Sequence, residues 1–585
     1  MNIPIENQTR FINWQIKEIE DSFRSYLKTS MLLHFKNKAA FKGIIWGIDD
    51  KRQSLIIQFP KGYTPRLKNS FLGLVFSGVP NHASLESWSF SYESFRKNYT
   101  KNSSSFTTNF YLKNSDSEYN YIGCRDFDSE FYEKIKDLLQ KEKKPSIICA
   151  ESDPPLKYLF NLGGFIKHNP TDKCLLMNVE KTLSDWKPQE LLLKDDRENT
   201  VIEALMKSDE IIIQGPPGTG KSHLIAEITN HFLTLNKSVC VASMANKALI
   251  EIVHKPGVRK WLDNNKVFKT NLTYNEKTEV KNLQKANSLT IGKGELLLSS
   301  YYKLSEWYDF NNPESQSMDS YCYDLIIIEE ASQAFLVTLA AFRKLGKKII
   351  IVGDPYQLAP IVLNESSSNH IHPQIHKYIT GLETYASNSQ ITSFILTETF
   401  RLSPEAAKLT SLFYDKALIS LQANQRKINL GSTFSKYEII KTQNCFLSLP
   451  LISDGDKPQN AIDIASQFAF ELLNYNQDIE VAVLAPFKNT VLALQEKLGA
   501  IVNDFPNLTI ETIDRVQGLT VDYTIVVLPL NNPTFALNLN RFNVATSRAK
   551  IATLIISDDN YLKFKGIDKR VTQYLSALHS LNNTK

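Results

Sequence analysis

The apolar run Ile211-Ile212-Ile213 leads directly into Gly215-Pro216-Pro217-Gly218-Thr219-Gly220-Lys221-Ser222. A pattern with Leu224, Ile225, Ile228 and Phe232 on one helical face follows. Strand, glycine-rich loop and helix in that order confine this part of the chain to an α/β fold built on a parallel sheet. The spacing G-x-x-x-x-G-K-[ST] is that of a phosphate-binding loop. Its glycines let backbone N–H groups turn inward around an anion, Lys221 can reach β- and γ-phosphates, and the Ser222 hydroxyl can ligate Mg²⁺. The bland alternative is a glycine-rich turn with no ligand, and the flanking strand and helix argue against it.

From about Trp186 the same texture repeats. Aliphatic runs at Ile211 to Gln214, Ser238 to Ala242, Leu325 to Ile328 and Lys348 to Val352 alternate with helical patterns. A second series runs through Phe394 to Leu396, Ile479 to Leu484, Leu508 to Thr512, Thr524 to Leu528 and Ala552 to Ile556. Two α/β units with one phosphate loop suggest a duplicated core, divided at 186–385 and 386–585. Residues 1–185 read differently. Phe11, Ile12, Ile16, Ile19, Phe23 and Leu27 mark a long amphipathic helix. Short β-like runs around Asp49-Asp50-Lys51-Arg52-Gln53 then suggest a small barrel. Residues 81–125, rich in Ser, Asn, Tyr and Phe, give no clear strand assignment, and a charged helix spans Glu130 to Lys141.

At 585 residues there is room for three or four domains, each with its own core. The net charge of +5 fits a polyanionic partner without requiring one. No apolar run is long enough to span a membrane, and Met1-Asn-Ile-Pro-Ile-Glu-Asn does not resemble a signal peptide. The six cysteines are scattered without a C-x-x-C pair, which points to buried free thiols and a cytoplasmic location.

Asp324-Leu-Ile-Ile-Ile-Glu329-Glu330-Ala-Ser-Gln333 is an apolar strand ending in two carboxylates. Phosphoryl transfer to water needs one carboxylate near Mg²⁺ and another to orient the attacking water. An exposed acidic strand end is the alternative. Gly353-Asp354-Pro-Tyr-Gln357 follows another buried strand, and Gln357 could hydrogen-bond a γ-phosphate or the water. Thr399-Phe400-Arg401 and Arg541-Phe-Asn543-Val-Ala-Thr-Ser547-Arg548-Ala-Lys550 add arginines from the second unit. Such arginines can stabilise transition-state charge.

In order along the chain, GPPGTGKS, IIIEEASQ, GDPYQLAP, ETFRLSP with LFYDKAL, IDRVQGLTVDYTIVVL and RFNVATSRAK resemble the motifs of superfamily 1 helicases of the Upf type. The resemblance covers residues 186 to 560. It implies two RecA-like domains with ATP (other nucleoside triphosphates remaining open) and Mg²⁺ between them. It also implies single-stranded DNA or RNA across the top, 5′→3′ movement, and an N-terminal stalk and barrel as accessory elements. By that resemblance Lys221 and Ser222 hold phosphates and Mg²⁺, Glu329 supports the metal, Glu330 positions the water and Gln357 senses the γ-phosphate. Phe400 stacks on the base, and Arg401 and Arg548 close from the second domain. Gln517 and Gly518 couple the cleft to nucleic acid, which Ser243, Asn246 and Pro486 contact along its backbone.

Four departures stand out. Motif II carries Glu329-Glu330 in place of Asp-Glu. Arg197 occupies the position of the family's base-reading glutamine. As a donor only it suits guanine O6 and N7, so either base preference changes or Arg197 turns to solvent and reads nothing. Thr520 stands where motif V ends in a carboxylate, and Thr399 replaces the glutamine before Phe400-Arg401.

His370, His372 and His376 form a polar histidine-rich loop, read as a solvated connector more than a metal site. The aromatic and basic stretch Trp88 to Lys101 either stacks bases or is β-rich core, with core favoured. The functional expectation is a nucleic-acid-dependent NTPase and translocase, with possible protein partners in a nucleic-acid-processing complex and no membrane association. The alternatives are a nucleotide-controlled nucleic-acid-binding switch and, less favoured, a P-loop phosphotransferase.

Overall fold

The computed structural model describes residues 3–583 except 68–69, 77–87, 113–117, 128, 142–143, 310, 312–320, 365–373, 389, 423–443, 503–504 and 506. Its contacts divide the chain into two compact units. One comprises residues 1–16, 156–491 and 509–585; the other comprises residues 17–155 and 492–508.

In the smaller unit, six strands close into a barrel of order β1-β2-β5-β4-β3-β6. They are β1 (Phe41–Asp49), β2 (Ser54–Pro60), β3 (Ser70–Phe76), β4 (Ser103–Tyr111), β5 (Tyr119–Arg125) and β6 (Ser146–Ala150). Antiparallel pairing and closure leave the barrel no open edge. Ile45, Leu55, Ile57, Phe59, Ile122 and Ile147 are fully buried in its core. The sequence hides β4 because its aromatics sit in glycine gaps of the neighbouring strands. A Cβ on Gly73 would lie 2.3 Å from the Phe106 ring, and one on Gly123 would lie 2.2 Å from the Phe110 ring. Trp88, Tyr92 and Phe95 are buried with Met31, Phe35 and Phe76. The stretch Trp88 to Lys101 is therefore core, as favoured, but it carries the helix Tyr92–Tyr99 and not a strand. Buried aromatics at i and i+3, Tyr92 and Phe95, share one face of a helix but would lie on opposite faces of a strand.

Among its described residues the larger unit holds two large sheets and two two-stranded ribbons. The first has nine strands in the order β11-β10-β12-β9-β13-β14-β8-β15-β7. These are β7 (Gln189–Leu191), β8 (Glu210–Gln214), β9 (Val239–Ser243), β10 (Val267–Lys269), β11 (Gln284–Lys285), β12 (Leu296–Ser300), β13 (Tyr323–Glu329), β14 (Gly346–Gly353) and β15 (Ser393–Leu396). Its pairs are parallel, and the aliphatic runs of its central strands are buried. Near-continuous Val, Ile and Leu runs are what such strands require. The second sheet has five strands. It runs Cys445–Ser448, Ala549–Ser557, Val521–Val527, Val481–Ala485, Leu508–Thr512 in spatial order.

Two expected boundaries move. Phe394 to Leu396, read as opening the second unit, instead pairs with β8 and β7 in the first sheet. Residues from Leu156 onward join the α/β unit, where Tyr158 Oη lies 2.6 Å from Thr338 Oγ1 and Asn161 donates to Ser305 at 3.0 Å. An apolar run specifies a buried strand but not which sheet receives it. All six cysteines are free thiols, five of them buried. Among the described residues no helix is long and apolar enough to cross a membrane.

Candidate nucleotide-binding cleft

The loop from β8 enters the helix Lys221–Thr234 through Gly218 and Gly220, at φ +74° and +87°. L side chains avoid that region. A Cβ on Gly218 would also lie 2.4 Å from the Arg401 Cβ. Lys221 Nζ donates to the Gly215 carbonyl at 2.7 Å, and the Thr219 hydroxyl donates to the Pro216 carbonyl at 2.8 Å. The segment leading to the second sheet braces the loop from the other side. The Phe400 N–H donates to the Gly218 carbonyl at 2.9 Å and the Thr399 hydroxyl to the Pro217 carbonyl at 3.1 Å. Thr399 thus acts as a staple where the resemblance expects a glutamine.

The two carboxylates stand at the tip of β13. In the sheet register Glu329 lies beside Ser243, whose hydroxyl donates to it at 2.8 Å. Burial pushes the Glu329 carboxyl well above the usual range; Glu330 adds to this, and Lys221 and the Ser243 bond oppose it. Glu330 sits at φ +55°, a left-handed conformation uncommon for a non-glycine residue. Residues held this way cost about 1–3 kcal/mol and cluster at functional sites. Its carboxylate accepts a hydrogen bond from Gln517 Nε2 of the second lobe.

Arg401 and Arg548 complete the opposite wall. Arg401 Nη1 donates to the Ser547 carbonyl at 3.1 Å. Arg548, 1% exposed, donates from Nε to the Val544 carbonyl at 2.8 Å, while its Nη2 is buried with no partner. Burial pushes Arg548 down to about 9, and the neighbouring Arg401 adds to the effect. Burial pushes Arg401 down to about 10, against the pull of Glu251 and Glu330. Two desolvated cations side by side are costly until an anion arrives. The cleft they close has a volume of about 660 Å³ and is lined by residues 217–223, Glu329, Glu330, Gln357, Phe400, Arg401, Gly518, Thr520, Arg548 and Lys550. That volume falls in the range of small-molecule sites.

A buried polar bridge ties the lobes together beneath the cleft. Asp354 accepts from Gln357 Nε2 at 3.1 Å and from the Tyr414 hydroxyl at 2.6 Å. Asn543 Nδ2 in turn donates to the Tyr414 hydroxyl at 2.9 Å and the Tyr356 carbonyl at 2.8 Å, and Asn540 Nδ2 donates to the Gln357 carbonyl at 2.6 Å. Tyr414 and Asn543 lie within the segments LFYDKAL and RFNVATSRAK, and Asn540 immediately precedes the second; none carries a sequence-level signal for this bridge.

Models of two AAA domains match residues 198–362 and 379–560, together more than half the chain. Among similar proteins, the replicase polyprotein 1ab of Alphamesonivirus 1 is 24% identical over 380 residues, covering 62% of this chain and 7% of the polyprotein. Helicase sen1 of Schizosaccharomyces pombe is 26% identical over 263 residues, covering 41% and 15%. The DNA polymerase alpha-associated DNA helicase A of the same yeast is 22% identical over 455 residues, covering 66% of each chain. The chain belongs to the superfamily 1 helicases of the Upf type. It spans a small part of the first two relatives and about two thirds of the third.

Within that family frame several expected positions fall elsewhere. Arg197 neither reaches the cleft nor turns to solvent. It is buried, and its guanidinium donates to the Leu191 carbonyl, the Thr219 carbonyl and Glu398. Ser243 is wholly buried, its hydroxyl donating to Glu329. Pro486 is buried directly after the strand Val481–Ala485. Gln517 donates to Glu330 at the cleft floor's carboxylate pair, and its neighbour Gly518 lines the cleft. Asn246 is exposed at the start of its helix, its side-chain Oδ1 accepting from Nζ of the wholly buried Lys269 at 3.0 Å. Phe400 is 51% exposed, its ring 3.3 Å from where a Gly220 Cβ would lie. His370 and His372 lie outside the described residues; among those described, no cluster of His, Cys, Asp and Glu could hold a metal without help from a ligand.

Proposed function

We propose that this chain is a nucleic-acid-dependent NTPase that translocates 5′→3′ on single-stranded DNA or RNA and unwinds duplexes. The observation that carries the reading is Arg401 and Arg548, from the second lobe, lining one cleft with Lys221 and Glu330 of the first. The donor set fits a Mg²⁺–triphosphate. Ser222 and two carboxylates are hard oxygen ligands, and Mg²⁺ is commonly held by one or two carboxylates plus substrate phosphates. Bound there, Mg²⁺ would supply charge neutralisation of the phosphates. Lys221 would leave the Gly215 carbonyl for the phosphates, and Glu330 would leave Gln517 to accept a proton from the attacking water. The orphaned Arg548 Nη2 would meet charge developing on the γ-phosphate, an effect worth about 10³ to 10⁵ in rate. Gln357 and the Asp354–Tyr414–Asn543 bridge would relay phosphate loss to the second lobe. Exposed Asn246 is the candidate backbone contact on the first lobe. The helix Ile3–Lys28 and the barrel would serve as stalk and accessory domain, and protein partners would assemble with it in a nucleic-acid-processing complex. Free buried thiols suit a reducing, cytoplasmic setting.

Phosphate release with matched single-stranded DNA and RNA oligomers, followed by strand displacement on tailed duplexes, tests the reading. Hydrolysis indifferent to both nucleic acids would refute it. Thr520, lining the cleft where the family pattern has a carboxylate, favours a second reading as a nucleotide-controlled binding switch. A switch would bind or hydrolyse nucleotide and separate no strands.

A further inference from the structure

Around the rim of the cleft nearest Gly220, the polar groups that could read a base edge are already engaged. Arg197 directs Nε to the Leu191 carbonyl at 3.2 Å, Nη1 to the Thr219 carbonyl at 3.2 Å and Nη2 to Glu398 Oε2 at 3.0 Å. The same Glu398 oxygen accepts the Leu193 N–H at 2.6 Å. Neither Arg197 nor Glu398 lines the cleft; Leu193 and Phe400 do, with apolar side chains 45% and 51% exposed. His223 also lines it, but its imidazole is 61% exposed, faces Glu227 at 3.9 Å and can donate or accept according to tautomer.

Hydrogen-bonding sites reject a substrate lacking the matching group by about 10⁴ to 10⁵, whereas apolar pockets discriminate by only about 10 to 200-fold. Stacking on an aromatic ring tolerates any base, because every base has a π-face. We propose that this cleft does not discriminate among nucleobases: Phe400 and Leu193 sandwich the base without reading its edge, and Arg197 is a positioning residue that braces β7, the phosphate loop and Glu398. The inference rests on the NTPase reading above and names its substrate class as all four ribonucleoside triphosphates. ATP and GTP are then used with kcat/KM within about threefold of each other, and CTP and UTP within about tenfold of the purines, reflecting weaker stacking.

The experiment measures kcat/KM for ATP, GTP, CTP and UTP with saturating oligo(dT) and, separately, oligo(U). In parallel, each nucleotide displaces mant-ATP from the Glu330→Gln protein. Ratios within those limits support the proposal, and an ATP-over-GTP preference above about thirtyfold overturns it. If no nucleotide is hydrolysed the NTPase reading fails, yet the displacement ratios still decide the question of base selectivity. Arg197→Met, which cannot hydrogen-bond a base, separates bracing from reading. It should lower the melting temperature and reduce kcat/KM for all four nucleotides by a similar factor, with the less disruptive Arg197→Lys doing so more mildly. A change of more than about tenfold in the ATP/GTP ratio in either variant would make Arg197 a base reader after all.

Discussion

Replacing Arg548 with methionine should make the empty protein more stable and the working protein almost inert. The guanidinium is 1% exposed, its Nη2 lacks a partner, and Arg401 beside it carries the same charge. A buried polar group left unsatisfied costs about 1–3 kcal/mol, while the Nε bond to the Val544 carbonyl returns about 1 kcal/mol. Replacing even a paired buried ion by apolar side chains of similar volume is often stabilising by about 1–4 kcal/mol, and a buried cation beside a like charge has less to lose. The net gain works out at about 1 kcal/mol. For a domain of this class that is a rise of about 2–4 °C in melting temperature. With Mg²⁺ and ATP the order should reverse, because the wild type gains the guanidinium–phosphate bonds and the variant does not, so its nucleotide-induced shift shrinks. Turnover should fall by about 10³ or more. Thermal melts with and without nucleotide, alongside nucleic-acid-stimulated phosphate release, measure all three quantities. A variant that melts below the wild type when empty, or loses less than about tenfold in turnover, would refute the picture of a cation held under strain for its anion.

Glu330→Gln should retain nucleotide binding and lose about 10² to 10⁴ in turnover, as expected for removal of a general base; unchanged turnover would take Glu330 out of that role. Gly218→Ala should abolish nucleotide binding, since its Cβ falls 2.4 Å from the Arg401 Cβ at a φ of +74°; mant-ATP titration checks this. Tyr414→Phe deletes the hydroxyl shared by Asp354 and Asn543 and should cost about 1–3 kcal/mol in stability. The same variant should weaken nucleic-acid stimulation more than basal hydrolysis; equal losses in both would make the bridge merely structural.

Much of the site was legible in sequence order because its chemistry is carried by short segments: a phosphate loop after a strand, a pair of carboxylates at a strand tip, arginines beyond a second α/β series. Local pattern determines these, since a buried parallel strand must be apolar and its C-terminal end is where loops meet a ligand. Partnership was not legible. Ser243, expected on a nucleic-acid face, turned out to be held against Glu329 by the register of β9 with β13. Arg197, expected to read a base, found Glu398 some two hundred residues away. Phe394 to Leu396 joined the first sheet, and β4 hid in a stretch whose aromatics need glycines on neighbouring strands. The sequence by itself determined which elements form and what chemistry their ends carry. Tertiary structure alone decided which end faces which, because hydrogen bonds and close packing between distant segments depend on register and sheet order, and no local periodicity encodes either.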